Sequence, residues 1–291
     1  MNRLNEDKIL ILADGRRLGF AEYGDPEGWP LMFFHGTPGS RIMARFAAPQ
    51  AWELGVRLIA PERPGFGLSD LQPQRRLLDW AKDVEALANH LQLGRFAVTG
   101  VSGGGPYVLA CAWKLGPRLA GAGVISSLAP VDRMSGELSG GQRLTAGLCR
   151  RTPLVNLVMG LVAKSVRRRP ELIISSMALV AHRGDRNILC QPEVRRTQMD
   201  GVMEAFRLGA QGIASELSLF SRPWGFEVGE ITLPIDLWHG EADAITPVGM
   251  GRYLADQLPR CRARFIPRAG HLWIFQGFED VFRVLRQRTK E

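Results

Sequence analysis

The stretch Phe96-Ala97-Val98-Thr99-Gly100-Val101-Ser102-Gly103-Gly104-Gly105-Pro106-Tyr107 constrains this chain more than any other. Its first half is apolar and β-branched, which suits a buried strand, and Tyr107 to Trp113 continues with the apolar density of a helix packed on a sheet. Between them lies a run of glycine with one serine inside it, in the pattern G-x-S-x-G. A strand that turns into a helix within so few residues forces the serine into a crowded backbone conformation. The positions two before and two after it can then carry almost no side chain, and Gly100 and Gly104 meet that need. Such a turn lifts the Ser102 hydroxyl out at the strand end. It also aims the N–H groups of the following helix at the space beside that hydroxyl.

A glycine-rich turn from strand to helix also serves nucleotide-binding folds, but the spacing argues against them here. G-x-G-x-x-G would need glycine at Ser102, and no G-x-x-x-x-G-K followed by Ser or Thr occurs. The rest of the chain supplies the context. Ile9 to Ala13 and Leu18 to Tyr23 are strand-like runs joined by Asp14-Gly15, a hairpin signal. Leu31 to Phe34 is a wholly apolar third strand that runs into His35-Gly36-Thr37-Pro38-Gly39-Ser40. Helical spacing follows over Ile42 to Leu54, then a strand over Val56 to Ala60. The loop Glu62 to Ser69 is too rich in Gly and Pro to be regular. Leu77, Ala81, Val84, Ala88 and Leu91 recur at helical spacing, with Gly94 expected to close that helix before the Ser102 strand. Gly123 to Leu128 reads as a further strand. This alternation predicts an α/β fold with a mostly parallel sheet, crossover helices and helices on both faces.

At 291 residues and 45% hydrophobic content the chain has room for one large domain with a sizeable insertion. From about Ala129 to Gly229 the strand signals stop, and apolar runs alternate with basic and Gly/Pro breaks, which predicts a helical insertion. The core pattern resumes with a strand over Pro234 to Trp238, an exit loop His239 to Asp243 and a helix over Val248 to Leu258. A last strand, Arg264 to Ile266, leads to Ala269-Gly270-His271 and a closing helix over Gln276 to Arg286. The expected division is a core in two parts, residues 1–129 and 231–291, with an inserted segment over 130–230.

The four cysteines, Cys111, Cys149, Cys190 and Cys261, are scattered without C-x-x-C and read as reduced thiols, not as a disulfide or zinc framework. No metal site is expected. The N-terminal residues do not read as a signal peptide, and no uncharged run approaches the roughly 20 residues needed to span a bilayer, so the expectation is a cytoplasmic protein with no membrane segment. The formal net charge of +8 comes almost wholly from arginine spread along the chain. The densest group, Arg167-Arg168-Arg169, lacks interleaved aromatics, so a solvated face is expected and not nucleic-acid binding; attraction to anionic ligands or lipid headgroups is the other reading.

A serine hydroxyl needs a base to take its proton and an acid to orient that base. Five histidines are present: His35, His90, His182, His239 and His271. The G-x-S-x-G stretch resembles the nucleophile elbow of the α/β-hydrolase superfamily, whose members carry nucleophile, acid and histidine in that order, on loops at the C-terminal ends of strands. The resemblance covers roughly Ile9 to Arg286 apart from most of the insertion, and it implies an eight-stranded sheet with a helical cap. Asp243, in the loop after Pro234 to Trp238, and His271, the only histidine beyond it, match that order. Asp132, after the strand Gly123 to Leu128, is the alternative acid, since some members carry theirs there. The His-Gly-x-Pro pattern of His35 to Pro38 is similar to the family's oxyanion loop, which implies Thr37 N–H and Gly103 N–H as the two oxyanion donors, with His35 and Gly36 in support. Glu62 to Ser69 is similar to the family's acidic-Arg-Gly-x-Gly-x-Ser loop, with Pro64 as a departure.

The same resemblance implies that a serine at the nucleophile position excludes the family's dehalogenases and epoxide hydrolases, which need a carboxylate there. The only tyrosines, Tyr23, Tyr107 and Tyr253, lie outside the insertion, so no tyrosine pair is available there to open an epoxide. The expected function is a cofactor-free serine hydrolase, carboxylesterase-like, acting on a small and mainly apolar ester through an acyl-enzyme on Ser102. A carbon-carbon bond hydrolase, a lactonase, an aminopeptidase, a cofactor-free peroxidase or a receptor-like binding protein on the same triad stay open at this point. Leu157, Val158 and Leu161, at near-helical spacing in the insertion, are candidates for the wall of a hydrophobic chamber over Ser102.

Overall fold

The structure is a computed structural model that describes residues 5–134, 144, 147–150 and 152–288. Eight strands form one sheet in the order β1-β2-β4-β3-β5-β6-β7-β8. They are β1 (Asn5–Ile11), β2 (Arg17–Gly24), β3 (Trp29–Phe34), β4 (Val56–Pro61), β5 (Phe96–Val101), β6 (Leu119–Ile125), β7 (Ile235–Gly240) and β8 (Cys261–Ile266). β2 runs antiparallel to both β1 and β4, and all other neighbours are parallel. The hairpin turn closes at Gly15, whose N–H donates to Leu12 O at 2.9 Å.

The sheet is covered on both faces, and its central strands are mostly apolar with side chains that alternate between the two faces. Met32 and Phe34 of β3 pack on one face with α2 (Asp79–His90), α3 (Gly105–Leu115) and α9 (Val248–Gln257). Leu31 and Phe33 pack on the other with α1 (Ala48–Glu53) and α10 (Phe278–Arg288).

Several boundaries differ from the sequence-based expectation. The helix of Ile42 to Leu54 is a 3-10 segment over Arg41–Ala47 followed by α1, a switch that coincides with Pro49 in the first turn of α1. α2 is closed by Gln92 in the left-handed region (φ 56), with Leu93 N–H on Ala88 O, and not by Gly94. β6 starts four residues earlier than expected and stops at Ile125, because Ser126 turns to φ 46 and donates its N–H to Trp238 O. β8 likewise begins at Cys261, since a strand on the sheet edge needs no apolar run to pair with β7.

Between β6 and β7 the described residues hold helices and no strand of the sheet: α4 (Thr152–Arg168), α5 (Glu171–Val180), α6 (Arg183–Leu189), α7 (Pro192–Ala205) and α8 (Gln211–Phe220). Residues 135–143 of the expected insertion lie outside the described residues. Among the described residues no helix is long and apolar enough to cross a membrane. The order of strands places a switch point between β3 and β5: the chain leaves β3 for β4 on one side and returns to β5 on the other. The loops after β3 and β5 therefore part at the C-terminal edge and leave a crevice between them.

Candidate active site

Ser102 follows the last residue of β5 and sits at φ 57, a left-handed conformation that a side-chain-bearing residue adopts only when its surroundings hold it there. Those surroundings are glycine. A Cβ on Gly100 would lie 2.6 Å from Gly104 O, and one on Gly104 would collide with Phe34 O of β3. The turn is thus packed directly against the end of β3, whose continuation is His35-Gly36-Thr37. Gly36 lies beside Ser102, with the site of its absent Cβ 3.6 Å from Ser102 Cβ. Gly103 faces Thr37, and a Cβ on it would collide with Thr37 Oγ1.

On the far side of the crevice, Asp243 leaves β7 and His271 leaves β8. His271 Nδ1 lies 2.7 Å from Asp243 Oδ2. Asp243 Oδ1 accepts the N–H groups of Ile245 (2.9 Å) and Thr246 (2.8 Å). Burial alone would raise the Asp243 carboxyl; hydrogen bonding and charge from His271, with the Thr246 donors, hold it below the usual range. A neutral imidazole whose Nδ1–H donates a hydrogen bond to a carboxylate keeps its lone pair on Nε2. Ser102 and His271 line one cavity of about 90 Å³, walled by Phe33, Met43 and Phe275 and, from the helices between β6 and β7, by Met177, Gln198 and Val202.

Four further residues belong to this arrangement; Thr246, Asp185 and Glu216 carried no motif, and Arg63 stands in the Glu62 to Ser69 loop. Thr246 Oγ1 lies 2.8 Å from Asp243 Oδ2, 2.9 Å from Ser126 O and 3.1 Å from His271 Nδ1, so it ties Asp243 and His271 together. Asp185, fully buried at the start of α6, accepts the backbone N–H groups of His271 and Leu272, each at 2.8 Å. Its carboxylate fills the space where Gly270 has no Cβ, which explains glycine just before the histidine. Glu216, fully buried on α8, accepts from Arg63 Nε (2.5 Å) and Nη2 (2.9 Å), from Tyr107 Oη (2.8 Å) and from Thr37 Oγ1. Arg63 also donates to His35 O (2.6 Å) and Gly36 O (3.1 Å), so guanidinium and carboxylate together hold the loop after β3. Pro64 leaves this role of Arg63 intact. Desolvation would raise the Glu216 carboxyl, but the charge and hydrogen bonds of Arg63, then Arg75, outweigh it and bring it down to about 2.

The other candidates have different settings. His35 is fully buried; its Nδ1–H donates to Gly36 O at 2.8 Å, and burial, reinforced by Arg63, keeps it neutral. His239 is buried with Nε2 2.7 Å from Thr246 O, and burial lowers its tendency to charge. His182 caps α6 by accepting Gly184 N–H, and His90 ends α2. Asp132 lies 3.9 Å from Arg133 and lines a separate cavity with Trp113 and Tyr253, so the structure brings Asp243 and not Asp132 to His271. Leu157 and Leu161 are 64% and 61% exposed and Val158 is also exposed; they face outward from α4, and the expected chamber wall is formed instead by α5 and α7. The helix pattern fixed their spacing but not which of its faces turns toward Ser102. Among the described residues no group of three or more His, Cys, Asp or Glu side chains could hold a metal ion.

A family profile described as alpha/beta hydrolase fold matches residues 30–278. The chain belongs to the α/β-hydrolase fold family. Among solved structures this α/β-hydrolase is similar to a thermophilic esterase from Thermogutta terrifontis in a malate-bound form, at 25% identity and TM-score 0.69, over 98% of this chain and 96% of that one. It is 28% identical over 272 residues to a dihydrolipoyllysine-residue acetyltransferase component of an acetoin cleaving system from Pseudomonas putida, covering 92% of this chain and 65% of that protein. A stretch of 62 residues is 39% identical to a pimeloyl-(acyl-carrier protein) methyl ester esterase from Chromobacterium violaceum, covering 21% of this chain and 24% of that protein. The α/β-hydrolase thus spans under two thirds of the length of these curated relatives.

Proposed function

We propose that this α/β-hydrolase is a serine hydrolase that cleaves a small, mainly apolar ester through an acyl-enzyme on Ser102, with Asp243 and His271 completing the triad. The observation that carries the reading is the 2.7 Å contact between His271 Nδ1 and Asp243 Oδ2, with His271 sharing one cavity with the strained Ser102. Ser102 Oγ attacks the ester carbonyl while His271 Nε2 takes its proton, and Asp243 stabilises the imidazolium that forms. The tetrahedral oxyanion is held by the N–H groups of Gly103 and Thr37, on the two sides of the crevice. Collapse expels the alcohol, which leaves with the proton from Nε2, and water releases the acyl group by the same steps in reverse.

The helices between β6 and β7 act as a cap over 130–230, set between core segments 1–129 and 231–291. Asp185 and Glu216 make that cap part of the machinery, since one fixes the backbone of the base and the other the oxyanion loop. The cavity of about 90 Å³ and its apolar walls favour a short acyl group. The four free cysteines suit a cytoplasmic, reducing setting. The esterase names among the relatives agree with ester cleavage. The test is Ser102→Ala assayed on p-nitrophenyl acetate, beside labelling of the native protein by a fluorophosphonate and peptide mapping. Turnover should be lost and the label should sit on Ser102; undiminished turnover, or a label on another serine, refutes the assignment.

A further inference from the structure

A cavity larger than the one at Ser102 lies elsewhere in the described residues. It measures about 600 Å³, lies between α8 and the loop that leads into α2, and shares no lining residue with the Ser102 cavity. We propose that it is a second ligand site, and that it takes a small organic monocarboxylate with an apolar body.

Charge is the first argument. The lining includes Arg75, Arg76 and Arg222 and contains no aspartate or glutamate. Arg76 is largely exposed and has Asp79 at 3.7 Å, but Arg75 is in a different position, with its side chain only 2% exposed. Among the described residues its one carboxylate contact is Glu216 at 3.3 Å, and Arg63 already holds that same carboxylate at 2.5 Å. Two buried guanidiniums thus share a single negative charge, an arrangement that an added anion relieves.

Unpaired polar atoms are the second argument. Arg75 Nε, Trp224 Nε1 and Gln72 Oε1 are buried and have no hydrogen-bond partner among the described residues, and all three residues line this cavity. Buried polar groups are ordinarily paired, so three such atoms on the wall residues of one space leave hydrogen-bonding capacity that side-chain rotation can turn toward a polar guest. Two of them are N–H donors, one on a cation, and the Gln72 amide can present its NH₂ group by rotation; three donors suit the oxygens of a carboxylate. The remaining wall includes Leu71, Leu77, Leu219 and Pro223, which an apolar body would cover. The volume lies within the roughly 300 to 1,000 Å³ usual for small-molecule sites.

The probe is 4-phenylbutyrate, with 4-phenylbutanol as its uncharged counterpart, titrated calorimetrically into the full chain before and after Ser102 is blocked by a fluorophosphonate. One equivalent of the acid should bind, about tenfold or more tighter than the alcohol, and blocking Ser102 should leave that binding in place. Arg75→Gln should weaken it by about tenfold or more. Ser215→Phe, which fills the cavity from α8 and keeps all three arginines, should abolish it while the melting temperature stays close to that of the native chain. No binding of the acid at 10 mM (about the weakest affinity worth calling a site), equal binding of the alcohol, loss of binding once Ser102 is blocked, or indifference to Ser215→Phe would each overturn the proposal.

Discussion

Replacing Glu216 by glutamine keeps the shape of the side chain and removes its charge. Each carboxylate oxygen accepts a hydrogen bond from Arg63, Oε1 from Nε at 2.5 Å and Oε2 from Nη2 at 2.9 Å. Whichever way the new amide is turned, its NH₂ therefore meets a guanidinium donor, and rotation offers no escape. The substitution also leaves Arg63 and Arg75 buried without a counter-charge, and breaking a buried pair in this manner costs about 3 to 5 kcal/mol. The pKa of Glu216 leads to a similar figure, since depression from 4.5 to about 2 is equivalent to about 3 kcal/mol. In a chain of this size the melting temperature should fall by on the order of 10 °C at neutral pH.

The pH dependence has a definite sign. A carboxylate whose folded pKa is depressed contributes stability above its unfolded value, and that contribution is lost as pH falls from about 4.5 toward 2. The gap between native and Glu216→Gln melting curves should thus be full at pH 7 and narrow progressively below pH 4.5. Calorimetric melting across that range measures it directly. In parallel kcat should fall, by no more than the roughly 100- to 1,000-fold that losing a whole oxyanion donor costs, because Thr37 loses its charged acceptor while its N–H remains. A shift under about 2 °C at pH 7, or a gap that stays constant down to pH 3, would show that Glu216 is not the counter-charge its geometry makes it.

The remaining predictions concern the base, the acid and the pocket. Asp243→Asn should lower kcat by about three to four orders of magnitude through loss of the productive histidine tautomer, while Asp132→Asn changes it little; the reverse ranking in steady-state kinetics would reassign the acid. Asp185→Asn turns an NH₂ toward one of the two N–H groups that the carboxylate now accepts. It should cost about 1 to 3 kcal/mol in urea unfolding and lower kcat, and equal loss in an already inactive Ser102→Ala background would separate the stability effect from the kinetic one. Across p-nitrophenyl esters of increasing acyl length, kcat/KM should drop by about tenfold or more from acetate to octanoate. Gln198→Leu should leave simple alkyl esters as good substrates and penalise hydroxylated ones, whereas a flat profile would place the selecting surface elsewhere.

The alternation of apolar strands and amphipathic helices was enough to read the α/β class, the antiparallel start and the parallel remainder, because strand and helix periodicity are local properties of the chain. Ser102 was readable for the same reason: its turn needs glycine at Gly100 and Gly104 wherever the rest of the chain goes. Asp243 and His271 were readable as candidates by their order and by the strands they follow. Their meeting across 2.7 Å depends on β7 and β8 being neighbours in the sheet, which no local pattern records. Thr246, Asp185 and Glu216 left no mark beyond ordinary composition, and Arg63 was marked only as part of the Glu62 to Ser69 loop, without its role. Asp185 stands 86 residues from His271 and Glu216 stands 179 from Thr37, so only the docking of α6 and α8 over the C-terminal edge makes partners of them. The same docking turns Leu157 and Leu161 outward and brings Met177 and Val202 inward. Helical spacing tells which residues share a face, but the partner that buries a face is chosen by tertiary packing.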